Sequence, residues 1–501
     1  MRALILLFFF CLFPCSPALL ADEGHHHAAG GAEKIGRVVF PVSCSAEAQR
    51  DFSRAVALLH SFWYEEAEKA FRAIAEKDPT CAMAHWGVAM TNFRLLWYAP
   101  DPATREKMRE ELGRAESLKP RTARERDYIA ALFGYFRDPQ RKDHPALMVE
   151  YEQAMEKLHQ RYPRDKEAGI FYALALLGAA QAQPPDKTYP RQRKAGAILE
   201  PLFRAQPDHP GLAHYVIHTY DFPVLAEQGL DAARRYARIA PAVPHALHMP
   251  SHIFIRLGLW DDAIRSNRAS AEAARAYARN RGWEGAWDQQ LHAMDYLAYA
   301  YLQKGEQAEA EHVLEELRSI KTGMPMSATA HYAFAAIPAR LAIESRHWNQ
   351  AMALQPRPDA SPWAVAMVHW ARAVAAARSG NMDASREDLA KLTELRDQLR
   401  QSKTPFWTDQ TEVLHLSAAA WAAHAQGNGQ EAERLMRASA DLEDSTDKHP
   451  VTPGAITPAR EMLGDLLMEL KRPKEALVEY EASLKSAPQR FNGLYGAARA
   501  A

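Results

Sequence analysis

Apolar residues recur every three to four positions along almost the whole chain, from about residue 44 to the C-terminus, with short polar, glycine or proline breaks between them. This period is typical of amphipathic α-helices that bury one face. Two stretches depart from it. Residues 3–13 form an unbroken apolar run, and residues 38–42 have the pattern of a short extended segment. The pattern therefore predicts an all-α chain of consecutive helices behind a different N-terminal region.

A helical hairpin is clearest in residues 460–488, which read REMLGDLLMELKRPKEALVEYEASLKSAP. Small residues at Gly464 and Ala476 let two antiparallel helices cross closely, and Tyr480 fills the gap to the next unit. The pattern resembles the tetratricopeptide repeat. The matching positions are Leu463, Gly464, Leu467, Ala476, Tyr480 and Pro488. The same signature returns near Ala67, Ala195 and Ala263, and weaker copies lie near Ala310, Ala351, Met382 and Ala432.

The resemblance implies a right-handed superhelical solenoid of tetratricopeptide-type hairpins over residues 43–501. In such a solenoid the first helix of each hairpin lines a concave groove, which binds a protein, a peptide or a small ligand. The segments FPVSC and CAMAHWGVAM near the start, and TPAREMLGDLLMEL near the end, are similar to a group of exported bacterial tetratricopeptide proteins. That resemblance implies no particular reaction.

The N-terminus has the pattern of an export signal over residues 1–21, with Arg2, the apolar run and small residues before a cleavage point after Ala18 or Ala21. Residues 22–42 are predicted to be a disordered or extended segment. The mature protein is then expected in the periplasm or outside the cell. Two cysteines, Cys44 and Cys81, remain after cleavage, and in an exported protein they are expected to form a disulfide rather than stay as two separate thiols.

The balance of charge limits the kind of partner. With 61 basic and 62 acidic residues the net charge is −1, so nothing favours nucleic acid or an anionic membrane surface. The apolar run at the N-terminus is too short to predict a membrane span. The chain also lacks the familiar motifs of serine hydrolases, phosphate-binding loops and zinc proteases. Any enzymatic activity would have to depend on a metal, and the sequence does not indicate the oligomeric state.

Two pairs of histidines are the strongest candidates for a site: His214 with His218, and His248 with His252. The members of each pair are one helical turn apart, and the pairs are offset by 34 residues, which is the tetratricopeptide period. We therefore expect both pairs on first helices of neighbouring units. Imidazole is a common ligand for zinc, copper and iron, so the spacing predicts a site for one transition-metal ion.

Repeat anchors extend this site to neighbouring units. Counting back from Gly305 puts Asp295 and Tyr299 at the equivalent positions of the next first helix, so Asp295 is a further predicted metal ligand. The residues predicted to bind a ligand along the groove are Trp86, Asp221, His245 and Tyr299. Asp221 would also orient an imidazole of the metal site.

Two other interpretations of the histidines stay open. They could bind a peptide or a small anion in the groove, or they could simply pack between helices. Pro250 lies inside the second pair, and a helix that starts there would leave His248 in the preceding turn. The leading functional hypothesis is an exported binding or scaffold protein with a histidine-lined concave groove. The alternative is a transition-metal-binding protein or non-haem metalloenzyme.

Overall fold

The computed structural model describes residues 34–97, 99–141, 143–402 and 404–501. The predicted signal peptide and residues 22–33 of the predicted N-terminal segment lie outside this part of the chain. Within it the protein is an all-α solenoid of helical hairpins, as the apolar pattern predicts. None of the described helices combines the length and the apolar character needed to cross a bilayer.

The helices follow one another with short connections. The N-terminal half contains α1 Ala46–His60, α2 Tyr64–Lys77, α3 Ala82–Asn92, α4 Pro102–Ser117, α5 Ala123–Phe136, α6 His144–Arg161, α7 Lys166–Ala182, α8 Pro190–Ala205, α9 Pro210–Tyr220, a 3₁₀ helix Ala226–Gly229, α10 Leu230–Ile239, α11 Pro244–His248 and α12 Pro250–Arg256. The C-terminal half contains α13 Trp260–Asn280, α14 Asp288–Lys304, α15 Gln307–Ser319, α16 Ala328–Glu344, α17 Trp348–Met352, α18 Pro362–Arg378, α19 Met382–Gln401, α20 Pro405–Ala425, α21 Gly429–Ser445, α22 Ala459–Glu469, α23 Pro473–Ser486 and α24 Phe491–Ala500.

Two short strands accompany the helices. Strand β1, Ala286–Trp287, pairs in parallel with β2, Gly323–Met324, and aligns Ala286 with Gly323. The strands flank the hairpin of α14 and α15. Their pairing holds the segment that enters α14 next to the segment that leaves α15.

Packing between consecutive helices builds the hairpins, and packing between alternate helices stacks them, as in α16 on α18 and α18 on α20. The C-terminal hairpin of α22 and α23 shows the predicted close crossing. A side chain at Gly464 would meet the Tyr480 ring at 2.7 Å, so only glycine fits there. Ala476 is fully buried at the same crossing.

The segment before α1 is anchored to the repeats rather than helical. Phe40 is fully buried, and the backbone N–H of Arg37 donates to the carbonyl of Asp208 at 3.0 Å. Cys44 and Cys81 form the expected disulfide, which joins this segment to the start of α3. The N-terminal segment therefore connects the first hairpins with the loop before α9.

A long connection between α21 and α22, residues 446–458, returns to the middle of the chain. Lys187 binds Asp447 at 2.5 Å, and Lys448 binds Asp221 at 2.5 Å. We call residues 446–458 the covering loop, because they lie over helices α9 and α14.

Candidate metal centre

Four short or medium helices supply the histidines of the central cluster. Helix α9 carries His214 and His218, while α14 carries His292. The second predicted pair spans a helix break, since α11 ends at His248 and α12 begins at Pro250. A proline is tolerated at the first position of a helix, where its missing N–H is not needed.

The first group of histidines, triad A, consists of His214, His218 and His245. The Nε2 atom of His214 lies 3.1 Å from Nε2 of His218 and 3.2 Å from Nε2 of His245. His214 and His245 are 0% and 3% exposed, so the group is almost closed to solvent. One ring nitrogen from each residue lies within 4.8 Å of the others. This convergence has the geometry of a three-nitrogen ligand set.

The second group, triad B, consists of His248, His252 and His292. Nε2 of His248 lies 3.0 Å from Nε2 of His252, and all three residues are 1% exposed. The Nε2 atom of His292 is buried and has no hydrogen-bond partner in the part of the chain that the structure describes. A buried polar atom of this kind calls for an explanation, and a bound ion is one.

Hydrogen bonds at Nδ1 determine which nitrogen of each ring carries the proton. In His214, Nδ1 faces the carbonyl of His60 at 2.6 Å, and in His245 it faces Oε1 of Gln289 at 3.2 Å. Because both partners are acceptors, both Nδ1 atoms carry the proton. The two Nε2 atoms that meet at 3.2 Å therefore present lone pairs to each other.

Triad B repeats this arrangement. Nδ1 of His248 faces Oδ1 of Asn267 at 2.6 Å, and the Asn267 amide donates to the carbonyl of Ala263 at 2.8 Å, which fixes its orientation. Nδ1 of His252 faces Oδ2 of Asp221 at 2.8 Å. The Nε2 lone pairs of His248 and His252 therefore also face each other, at 3.0 Å.

Such contacts are repulsive unless a proton or a cation lies between the nitrogens. Protonation is disfavoured, because burial lowers the pKa of His245 to about 3 and that of His252 to about 4. Burial and the neighbouring imidazoles also hold the pKa of His214 and His248 well below the ordinary value. Two nitrogens bound to one metal at its usual distance lie about 2.9–3.4 Å apart, which matches the observed spacing.

Asp221 lies at the edge of triad B and connects it to the covering loop. Its carboxylate binds His252, accepts from Nε of Arg256 at 2.9 Å and binds Lys448. Although burial opposes ionisation, Lys448 and Arg256 hold the pKa of Asp221 well below its usual range. Burial lowers the pKa of Lys448 to about 8. Asp221 is therefore an ionised carboxylate that orients His252.

Three residues predicted for the site lie elsewhere. Asp295 forms an ion pair with Arg340, with 2.6 Å between Oδ1 of Asp295 and Nη1 of Arg340, and it belongs to neither triad. Tyr299 contacts Nη1 of Arg490 through its hydroxyl at 3.2 Å. Trp86 is 2% exposed and packs against Phe40 and other rings of the N-terminal hairpins, so it fills the core rather than a groove.

His292 is the ligand candidate that the sequence pattern did not reveal. On α14, His292 and Tyr296 are four residues apart, like the members of the two histidine pairs, and they take the equivalent place in the cluster. The Tyr296 hydroxyl lies 3.4 Å from Nε2 of His252. Repeat counting selected Asp295 and Tyr299 instead. The offset between the repeat glycine and the groove positions was taken from the unit of His248 and His252, where Pro250 divides the helix in two. This offset does not apply to α14, which is unbroken.

A third group of buried histidines adjoins the first. His60 and His209 hold the two oxygens of Glu167, each through Nε2 at 2.9 Å. Nδ1 of His60 also contacts the hydroxyl of Tyr215 at 2.9 Å. Both oxygens of the carboxylate are therefore occupied by imidazole nitrogens. We call His60, Glu167 and His209 the carboxylate cluster.

The similarity of the chain to known proteins is distant. No curated protein matches the chain. Solved structures with a related helical arrangement include the APC/C hetero-tetramer Cut9-Hcn1, with 11% identity over 91% of this chain and 76% of that chain at a TM-score of 0.38. Yeast Tom70 gives 11% identity over 90% and 88% at 0.31, and aspartyl phosphate phosphatase F from Bacillus subtilis gives 12% over 91% and 97% at 0.32. Likeness at these TM-scores carries no argument.

A family model described as tetratricopeptide repeat matches residues 457–490. The match coincides with α22 and α23, the hairpin in which Gly464 passes under the Tyr480 ring. Hairpins of the same kind follow one another along the described chain. The chain therefore contains a tetratricopeptide-repeat hairpin within its all-α solenoid.

Proposed function

We propose that this repeat protein binds transition-metal ions through triads A and B. The observation that carries the proposal is the contact of Nε2 lone pairs, at 3.2 Å between His214 and His245 and at 3.0 Å between His248 and His252. In all four rings Nδ1 faces an acceptor. Metal-bound histidines have this arrangement, because the partner of the second nitrogen fixes the tautomer and the direction of the ring. A helical core made only for packing has no need of it.

The donor set favours copper or zinc over a non-haem iron centre. An iron centre with two histidines and one carboxylate needs an acidic ligand. Asp295 is paired with Arg340, and Asp221 contacts the Nδ1 side of His252. Each triad thus offers neutral imidazoles alone, which suit copper and zinc. Three nitrogen ligands leave one position of the ion open to a water or a small molecule.

The surrounding residues prepare the site for an ion. Asn267, Gln289 and the carbonyl of His60 hold the rings in place, so little ordering remains to be done on binding. Burial keeps the imidazoles neutral, which is the form that binds metal. The covering loop adds a lid, because the Tyr296 hydroxyl donates to the carbonyl of Thr452 at 2.9 Å.

The proposal includes export to the periplasm or the exterior. The signal pattern of residues 1–21 supports this location. The disulfide between Cys44 and Cys81 also supports it, because disulfides persist in oxidising compartments.

Binding of a protein or peptide is a second candidate function, at a different place. Five of the six histidines are at most 3% exposed, so a peptide on the repeat surface would not touch them. A cavity of about 540 Å³ beside the covering loop is a better place for a peptide. Its lining includes Trp407, Phe406, Met367, Lys485 and Arg460. Loss of peptide-library binding in Trp407→Ala, with the fold intact by circular dichroism, would support this candidate.

Elemental analysis of the untagged mature protein tests the metal proposal. The natural histidines at positions 25–27 are replaced by alanine beforehand, so that any retained ion is held by the repeats. We expect copper or zinc in the wild type, about half of it in each of the double variants His214→Gln/His245→Gln and His248→Gln/His252→Gln, and at least a tenfold loss when the two are combined. The control His144→Gln, at a histidine that bonds Tyr135, keeps its metal. A folded wild type that retains neither metal after incubation with both would refute the proposal.

A further inference from the structure

The two triads are close enough to act together. We propose that they form one binuclear centre, in which two metal ions lie side by side and share a small anionic ligand such as hydroxide. This inference rests on the proposed metal-binding function and adds the number of ions and the class of ligand between them.

Contacts between rings of different triads define their relation. The ring centroids of His218 and His252 are 6.1 Å apart, and those of His245 and His248 are also 6.1 Å apart. Helix α11 contributes one histidine to each triad, three residues apart in the chain. The triads are therefore adjacent through two pairs of rings, and both take a histidine from α11.

The balance of charge calls for an anion at this position. Six neutral imidazoles contribute no negative charge, so two divalent ions would bring a charge of about +4 into a buried site. The nearest ionised carboxylate, Asp221, is already paired with Lys448 and Arg256. Metal ions lower the pKa of a bound water to near 7, so that hydroxide is available at neutral pH. A hydroxide or another small anion between the ions would offset part of the charge and fill an open position on each.

The available space limits the size of that ligand. A cavity of about 60 Å³ adjoins triad A and is lined by His245, Gln289, Trp97 and other side chains. The Trp97 ring lies 6.0 Å from that of His245 and 6.5 Å from that of His292, so it contacts a ring from each triad. A space of this volume accepts only a few water-sized groups. The cavity thus lets a small ligand such as hydroxide or azide approach His245.

Copper loading followed by electron paramagnetic resonance tests the inference. The chelator-treated protein, with positions 25–27 replaced by alanine, is titrated with Cu²⁺ and freed of excess. We expect two copper ions per chain and a spin signal well below two per chain, because an anionic bridge couples the two unpaired electrons. The variants His218→Gln and His292→Gln, one in each triad, should each lose one ion and give the full signal of the ion that remains. His144→Gln should behave like the wild type.

Each other outcome has a separate meaning. Two ions with a full signal of two spins would mean independent sites and would overturn the binuclear centre. One ion per chain would also overturn it while leaving the proposed metal binding intact. No retained copper or zinc in the folded wild type would refute both proposals.

Discussion

His60 and His214 are neighbours, since the carbonyl of one accepts the Nδ1 proton of the other, yet their rings are satisfied in different ways. In the carboxylate cluster, Nε2 of His60 and Nε2 of His209 each meet an oxygen of Glu167. In triad A, Nε2 of His214 meets only other imidazole nitrogens. Both groups are buried, and both bring candidate ligand atoms within 4.8 Å of one another.

The comparison shows that proximity alone does not identify a metal site. In the carboxylate cluster, donors and acceptors match, so the group is complete without an ion and stabilises the packing of α1, α7 and α9. In triad A the same kind of side chain leaves lone pairs opposed. Such a mismatch is costly in a buried place unless a ligand resolves it.

Removal of the carboxylate should give the largest effect on stability. Glu167→Ala leaves His60 and His209 buried without their shared acceptor, and we expect the free energy of unfolding to fall by about 3–5 kcal/mol. Urea unfolding followed by circular dichroism measures this change. Metal content should stay that of the wild type. A large loss of metal with little loss of stability would reverse the roles assigned to the two groups.

Removal of an acceptor that orients a histidine should have a smaller effect, which is limited to the affinity for metal. Asn267→Ala deletes the partner of Nδ1 of His248, and we expect affinity for zinc or copper to fall about 10- to 100-fold. Competition with a chromophoric chelator gives the affinity. Arg265→Ala is the matched control, because Arg265 lies on the same helix, is exposed and pairs with Asp262 on that helix. Equal losses in both variants would point to a general disturbance of α13.

The pH dependence of the metal-free protein should separate the two groups. Because the pKa of His245 is lowered from 6.5 to about 3, the unfolded state takes up a proton first, and stability falls as the pH drops below 6.5. His245→Gln should reduce that slope by about 1.4 kcal/mol per pH unit. The pKa of Glu167 is lowered to about 2: burial opposes this shift, but His209 and His60 outweigh it. Stability from Glu167 is therefore present above pH 4.5 and lost between 4.5 and about 2.

Unfolding in urea at a series of pH values, with a chelator present, measures both slopes. Glu167→Gln should flatten the profile in the lower range, and His245→Gln in the range from 6.5 downwards. Identical profiles for the two variants would show that the groups do not titrate separately.

Much of the fold was accessible from the sequence, because repeat packing leaves local marks. Gly464, Ala476 and Tyr480 mark a hairpin through the small volume and the large ring that its crossing requires. The pairing of Cys44 with Cys81 could be predicted because only two cysteines follow the predicted signal segment. The histidine pairs were visible because the one-turn spacing survives even across the break at Pro250.

The rest of the site depends on contacts that have no local pattern. His292 reaches triad B from α14, and its position relative to the other histidines is set by how that helix packs. The partners of Nδ1, such as Asn267 and Gln289, come from helices that follow at irregular intervals. Asp295 has the right spacing from Gly305, but its neighbour across the helix interface is Arg340.

The position of the covering loop affects when a metal ion could bind during synthesis and folding of the chain. Lys448 lies 227 residues beyond Asp221, the side chain it binds, so the histidine helices are synthesised long before the segment that closes over them. An ion can therefore enter while the C-terminal hairpins are still absent or undocked. Once they dock, the covering loop lies beside triad B, so on the proposed function departure of the ion from that triad is expected to require the loop to lift. The residence time of the metal would then report how often the C-terminal end of the solenoid opens, rather than how strongly six imidazoles bind.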